Sequence, residues 1–284
     1  MDLSAYESLK LSTEMDGRVV LLRFDHGKAN EMGSVELQEL EQLTRDLEQD
    51  PASIALITYS ERVSRRGTPI FVAGANVTER AGWDDERVKA HVAWQRSVLA
   101  GLKAAPVLHI GVISGVALGW GTEYLLCCDY RIACAGSSFA LPETGLGILP
   151  GAGGTSELWA HIGVAQTLRL GMTGERILPD EACRIGLVQE VAEDLVAGLS
   201  RARALAALAA KRSPTANAAF KQSVLAAVGR DPSDRHVLEE IAYAHCVDSG
   251  QAAVGRAHFA DIRAGQAPPW GPRVRLGGSD ATSG

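Results

Sequence analysis

Hydrophobic positions along the chain switch between two rhythms. The run "RVVLLRF" (18–24) is a block of β-branched and leucine residues that predicts a strand, and "IALITYS" (54–60), "PIFVAG" (69–74) and "PVLHIGVISG" (106–115) repeat it. Between them the period lengthens. In "SVELQELEQLTRDLEQD" (34–50), Val35, Leu37, Leu40, Leu43 and Leu47 recur at helical spacing behind a candidate N-cap, Ser34, and "WDDERVKAHVAWQRSVLAGLKAA" (83–105) is a second amphipathic helix. "YRIACAG" and "SSFALPE" predict two short strands around a Gly-Ser turn, and "LGILPGAGGTSELWAHIG" a glycine-rich loop that runs into a helix. Apolar strands alternating with helices imply an α/β fold whose sheet is covered on both faces. From about residue 160 the pattern turns to helices alone, broken by "GMTGERILPDEACRIGLVQEV", in which Pro179 opens a short helix, and "RVRLGGSDATSG" ends the chain as an expected disordered tail.

Composition narrows the class. The 284 residues, 46% apolar and 22% charged, fit a globular protein with a sizeable core. A net charge of −6 without a dense basic run argues against nucleic acid as a partner. No secretory leader and no run of about 20 apolar residues is visible, so neither export nor membrane insertion is expected. Cys127, Cys128, Cys134, Cys183 and Cys246 are odd in number and form no CxxC pair, which reads as free thiols in a reducing cytoplasm.

The candidate chemistry lies in three pieces. "GVISGVALGWGTEYLLCCDYRIA" (111–133) interrupts an apolar run with Gly119-Trp120-Gly121 and then carries Glu123 on the first turn of a helix. Glycines at a strand-to-helix junction allow a sharp turn and a close ligand, and the first helical N–H groups can receive an oxyanion. A plain turn is the alternative reading. Glu143 in "FALPETGLGILPGAGGT" ends a strand. Two glutamates converging on one apolar pocket would separate in acidity into an acid and a base, whereas Glu143 alone could equally cap its loop. "FVAGANV" (71–77) ends a strand in small residues that would leave a backbone N–H facing a cavity. His26 and His109 have no second histidine or cysteine at ligand spacing, so both read as structural and no metal is expected. The glycine-rich stretch lacks the Lys-Ser/Thr of a P-loop, and no Rossmann fingerprint is present.

Taken together and in order, these three pieces resemble the crotonase superfamily, the enoyl-CoA hydratase/isomerase proteins. The resemblance spans about residues 17–265 and includes "GKANEM", "MTGERILPDEACRIGLVQEV" and "HFADIRAGQAPPW". It implies a ββα spiral core with two perpendicular sheets (1–195), a helical C-terminal part used for trimerisation (196–270) and a tail (271–284). It also implies an acyl-CoA thioester substrate and a homotrimer or hexamer. No separate cofactor is expected, because coenzyme A is part of the substrate.

By position, the resemblance makes the backbone N–H groups of Ala75 and Trp120 an oxyanion hole and Glu123 and Glu143 the catalytic acids, with the backbone of Gly151 helping to hold a water. Lys28, Ala29, Ala73 and Val77 would meet the CoA moiety. The family usually has glycine where Trp120 stands, so the indole either narrows the acyl pocket or stacks on the substrate. Asn76 and Thr78 replace the usual Asp and Lys, and the C-terminal basic cluster is reduced to Arg263, with Arg65 and Arg66 as substitute phosphate contacts or plain solvated charges. The leading expectation is hydration of a 2-trans-enoyl-CoA to a 3-hydroxyacyl-CoA. Isomerase, decarboxylase or thioester hydrolase chemistry, or a non-catalytic acyl-CoA-binding protein, are the alternatives. The acyl chain, and whether the pathway is fatty-acid breakdown or a biosynthesis, stay open.

Overall fold

A computed structural model describes residues 1–276. Nine strands divide into two sheets, and most of the chain feeds them in turn. The larger sheet has the order β1-β2-β3-β5-β7-β9, built from β1 (Lys10–Glu14), β2 (Val19–Phe24), β3 (Ala55–Ser60), β5 (Leu108–Ile113), β7 (Tyr130–Cys134) and β9 (Glu190–Ala192). The smaller has the order β4-β6-β8, from β4 (Ile70–Val72), β6 (Val116–Leu118) and β8 (Ser138–Ala140). From β3 to β8, consecutive strands therefore alternate between sheets, which is the strand–strand–helix winding expected of a spiral. All pairings are parallel except β1 with β2.

Helices α1 (Ser34–Gln49) and α2 (Asp85–Ala104) cover one face of the larger sheet. Leu37, Leu40, Leu43 and Leu47 of α1 and Val98, Leu99 and Leu102 of α2 share a core with Phe24, Phe71 and Tyr124. The other face is covered by α6 (Leu195–Ala210), whose Leu199, Ala202 and Ala206 pack on Ile57, Ile110, Val112 and Ile132. By packing, α6 belongs with the sheet, so the core extends beyond the expected boundary at residue 195. Helices α4 (Leu158–Thr173), α5 (Pro179–Ile185), α7 (Pro214–Ala227), α8 (Pro232–Asp248), α9 (Gln251–Ala257) and α10 (Phe259–Arg263) complete the order, with α3 (Trp120–Tyr124) between β6 and β7. None of the helices among the described residues is long and apolar enough to cross a membrane.

Three strands, β1, β6 and β9, escaped the sequence reading. β1 carries no inward-facing alternation, because it is an exposed edge held by its antiparallel ladder to β2. β9 is three residues long and extends the sheet beyond β7, adding a strand at the end of the segment that interrupts the helices after residue 160.

The expected disordered tail is also corrected over 271–276; residues 277–284 lie outside the described residues. Arg273, 6% exposed, donates to the carbonyls of Leu47 (2.6 Å), Glu48 (3.2 Å), Asp50 (2.7 Å), Ser53 (2.9 Å) and Pro106 (3.3 Å). The first three include orphan acceptors at the C-terminus of α1, where a cation is favoured. Replacing Arg273 with Ala leaves those carbonyls bare and should destabilise the fold by about 2 kcal/mol, seen as a lower urea midpoint at unchanged m-value.

Candidate active site

The sharp turn from β6 into α3 is made by Gly119, whose φ of +51° favours glycine. A Cβ there would overlap Glu143 Oε1, and one on Gly121 would overlap the carbonyl of Val72, so both glycines permit close approaches. The first brings the Glu143 carboxyl against the start of α3. The second lets the end of β4 pass directly beside the helix.

That approach sets the segment after β4 beside α3. Residues 73–76 are laced to the loop after β2: Ala73 N donates to Ala29 O (3.1 Å), Met32 N to Gly74 O (3.0 Å) and Asn76 N to Met32 O (2.7 Å). Ala75 N–H is left without a partner among the described residues, and so is Trp120 N–H at the first position of α3. The loop itself is stapled by Asn30, buried with φ +53°, whose side chain reaches Ser60 Oγ (3.0 Å) and Phe71 O (2.8 Å). Lys28 and Ala29 thus lie on the same segment that positions Ala73 and Ala75. Val77 follows at the start of a 3-10 turn, 54% exposed. Arg65 and Arg66 are exposed, while their neighbour Arg62 bonds Asp25 (2.9 Å) and the carbonyl of Gly27.

Glu123 is 3% exposed, and its Oε1 accepts from the backbone N–H groups of Ala152 (2.7 Å) and Gly154 (2.8 Å). Neither it nor Glu143 forms an ion pair among the described residues. Burial pushes Glu123 up to about 7 against the pull of Gly154, Ala152 and Arg96, and the charge of Glu143 adds to the rise. Burial also raises Glu143, whose Oε2 is buried without a partner. The two acids therefore share an electrostatic environment, and the Trp120 amide follows Gly119, the residue against which the Glu143 carboxyl lies.

Other expected residues take different places. Gly151 gives its carbonyl to Arg96 Nε (2.9 Å), and the amides that hold Glu123 are those of Ala152 and Gly154. Nothing in "GAGG" distinguishes those two donors before the loop is folded. The Trp120 indole is 2% exposed and lies on Tyr124 at 5.5 Å between ring centroids, with Nε1 unpartnered. Its burial leaves no face free for stacking on a substrate.

Folding brings to His109 two cysteines that are not at ligand spacing from it in the sequence. His109, Cys127 and Cys128 place three potential ligand atoms within 4.8 Å of one another. The ring nitrogens are already engaged, Nδ1 with Cys127 O (3.1 Å) and Nε2 with Thr58 Oγ1 (2.9 Å). A carbonyl at Nδ1 requires that nitrogen to donate, so Nε2 accepts, and the group works as a hydrogen-bonded core network. His26 is buried with both ring nitrogens unpartnered, and burial holds its pKa below the usual imidazole value.

The rise at Glu123 has a cost to the fold. The unfolded carboxyl ionises near 4.5 and the folded one near 7, so stability falls as pH rises between these values and the penalty is constant above them. Glu123→Gln should therefore stabilise the fold by about 3 kcal/mol at pH 8 and by little at pH 4, read from denaturation curves at the two pH values.

Comparison with known proteins accords with this geometry. Residues 14–267 match the family described as enoyl-CoA hydratase/isomerase. The chain is 30% identical over 234 residues to the short-chain-enoyl-CoA hydratase of Clostridium acetobutylicum, covering 82% of this chain and 87% of that protein. It is 34% identical over 190 residues to the crotonyl-CoA hydratase of Syntrophomonas wolfei, covering 66% and 70% respectively. Among solved structures, the enoyl-CoA hydratase from Bacillus anthracis superposes with a TM-score of 0.84 at 29% identity, over 93% of this chain and 99% of that one. The chain belongs to the enoyl-CoA hydratase/isomerase family.

Proposed function

We propose that this protein hydrates a 2-trans-enoyl-CoA to the 3-hydroxyacyl-CoA. The observation that carries the reading is the buried Glu123 carboxyl, fixed by Ala152 and Gly154, close enough to Glu143 to feel its charge. The names of the Clostridium and Syntrophomonas relatives support it.

In the proposed reaction the thioester oxygen accepts from the N–H groups of Ala75 and Trp120. These fixed dipoles stabilise the enolate that forms as water adds to C3, and one such donor is worth about 3 kcal/mol in comparable sites. Glu123, ionised, takes a proton from the attacking water. Glu143, protonated, supplies the proton that reaches C2. Hydrogen bonding supports this division: two backbone N–H groups on Glu123 Oε1 favour its ionised form, whereas the buried Glu143 Oε2 has no donor. Lys28, Ala29, Ala73 and Val77 would hold the CoA moiety beside the amide at Ala75. No further cofactor takes part in these steps.

Assembly as a homotrimer or a dimer of trimers belongs to the same proposal. It is supported by exposed apolar residues on α4 (Val164, Leu168, Met172) and α7 (Phe220, Val224). A solution mass by light scattering at a multiple of three chains checks it.

With crotonyl-CoA, loss of the enoyl thioester absorbance should report turnover. Glu123→Gln and Glu143→Gln should each lower kcat by about 10²–10⁴-fold with little change in KM. Because Glu123 must be ionised to act, kcat/KM should fall as pH drops through about 7. A wild-type protein inactive on crotonyl-CoA and on longer and aromatic enoyl-CoAs would remove the proposal.

A further inference from the structure

A cavity of about 480 Å³ opens directly beside Glu123. Leu99 and Ala100 of α2, Leu126, and Leu225 and Val228 at the end of α7 give it apolar walls. Resting on the hydration reading, this is where an acyl chain could extend beyond the reacting carbons.

One group does not suit a plain hydrocarbon chain. Arg96, from the exposed side of α2, also lines the cavity. Its Nε is tied to Gly151 O at 2.9 Å, which fixes the guanidinium relative to the loop that holds Glu123. Its two Nη groups have no partner among the described residues, and it forms no ion pair there. The other cation on this wall, Lys103, is occupied by Glu157 at 2.8 Å. The cavity thus presents one free, anchored guanidinium at its rim, near enough to Glu123 to act on its charge. A guanidinium with two open N–H edges is a planar fork matched to a carboxylate.

We infer that the acyl group carries a terminal carboxylate, a few carbons beyond the double bond, which Arg96 receives. The substrate class is then a carboxylated 2-enoyl thioester, with Arg96 as the specificity-determining residue. The apolar walls contact the intervening methylenes, and the charge of the acyl terminus is met only at the rim.

The test compares glutaconyl-CoA with 2-pentenoyl-CoA, which match in chain length and differ in the distal charge. Wild type should favour glutaconyl-CoA in kcat/KM by roughly 10- to 150-fold, the range for a hydrogen bond to a charged group. Arg96→Gln should bring the ratio close to one and Arg96→Lys should restore part of it. Arg96 is exposed on a long helix, so these variants are expected to fold. A wild-type ratio at or below one, or a ratio unchanged in Arg96→Gln, overturns the inference. Calorimetry with the saturated glutaryl-CoA and pentanoyl-CoA separates this inference from the hydration reading. If neither enoyl thioester is hydrated but the Arg96-dependent preference for glutaryl-CoA persists, hydration fails and the carboxylate site stands.

Discussion

Two backbone amides holding one buried carboxyl are the constraint on which the site depends. An ionised glutamate in an apolar interior is costly to desolvate, and the Ala152 and Gly154 donors offset only part of that cost. The remainder appears as a raised pKa. The glycine-rich loop is therefore as much a part of the chemistry as the acid it holds, since its path determines both the orientation of Glu123 and the ease with which it ionises. Gly119 and Gly121 make the complementary contribution: they remove the side-chain bulk that would keep Glu143 and β4 away from α3.

Much of this was legible in the chain. The strand and helix rhythms placed α1, α2 and most strands within a few residues of their observed ends, because each long element buries a continuous apolar face. Glu123 and Glu143 stood out as acids in apolar or glycine-rich surroundings, and "VALGWGTE" announced the turn that exposes an amide. What was not legible depends on partners remote in sequence. β1 and β9 exist because a neighbouring strand completes their hydrogen bonds, and neither has a burial pattern of its own.

The same reason hides parts of the site. Arg96 is indistinguishable from any solvent-facing arginine on α2 until Gly151 folds against it. The cluster of His109 with Cys127 and Cys128 needs β5 and the residues after α3 to be stacked side by side. Arg273 looked like one charge in a polar, glycine-rich end, yet the carbonyls at the end of α1 bury it. For both arginines the partner is a backbone group, and backbone groups leave no residue-type signature.

The lacing between the loop after β2 and the segment after β4 carries a consequence for how the gene can vary. Ala29 with Ala73, and Met32 with Gly74 and Asn76, form a ladder whose register aims the Ala75 amide. A single inserted residue inside either rail would rotate that amide away, whereas the exposed turn at Ser64–Thr68 lies between the rails and can lengthen without altering their alignment. Length variation among natural relatives should therefore gather in that turn and avoid 29–32 and 73–76.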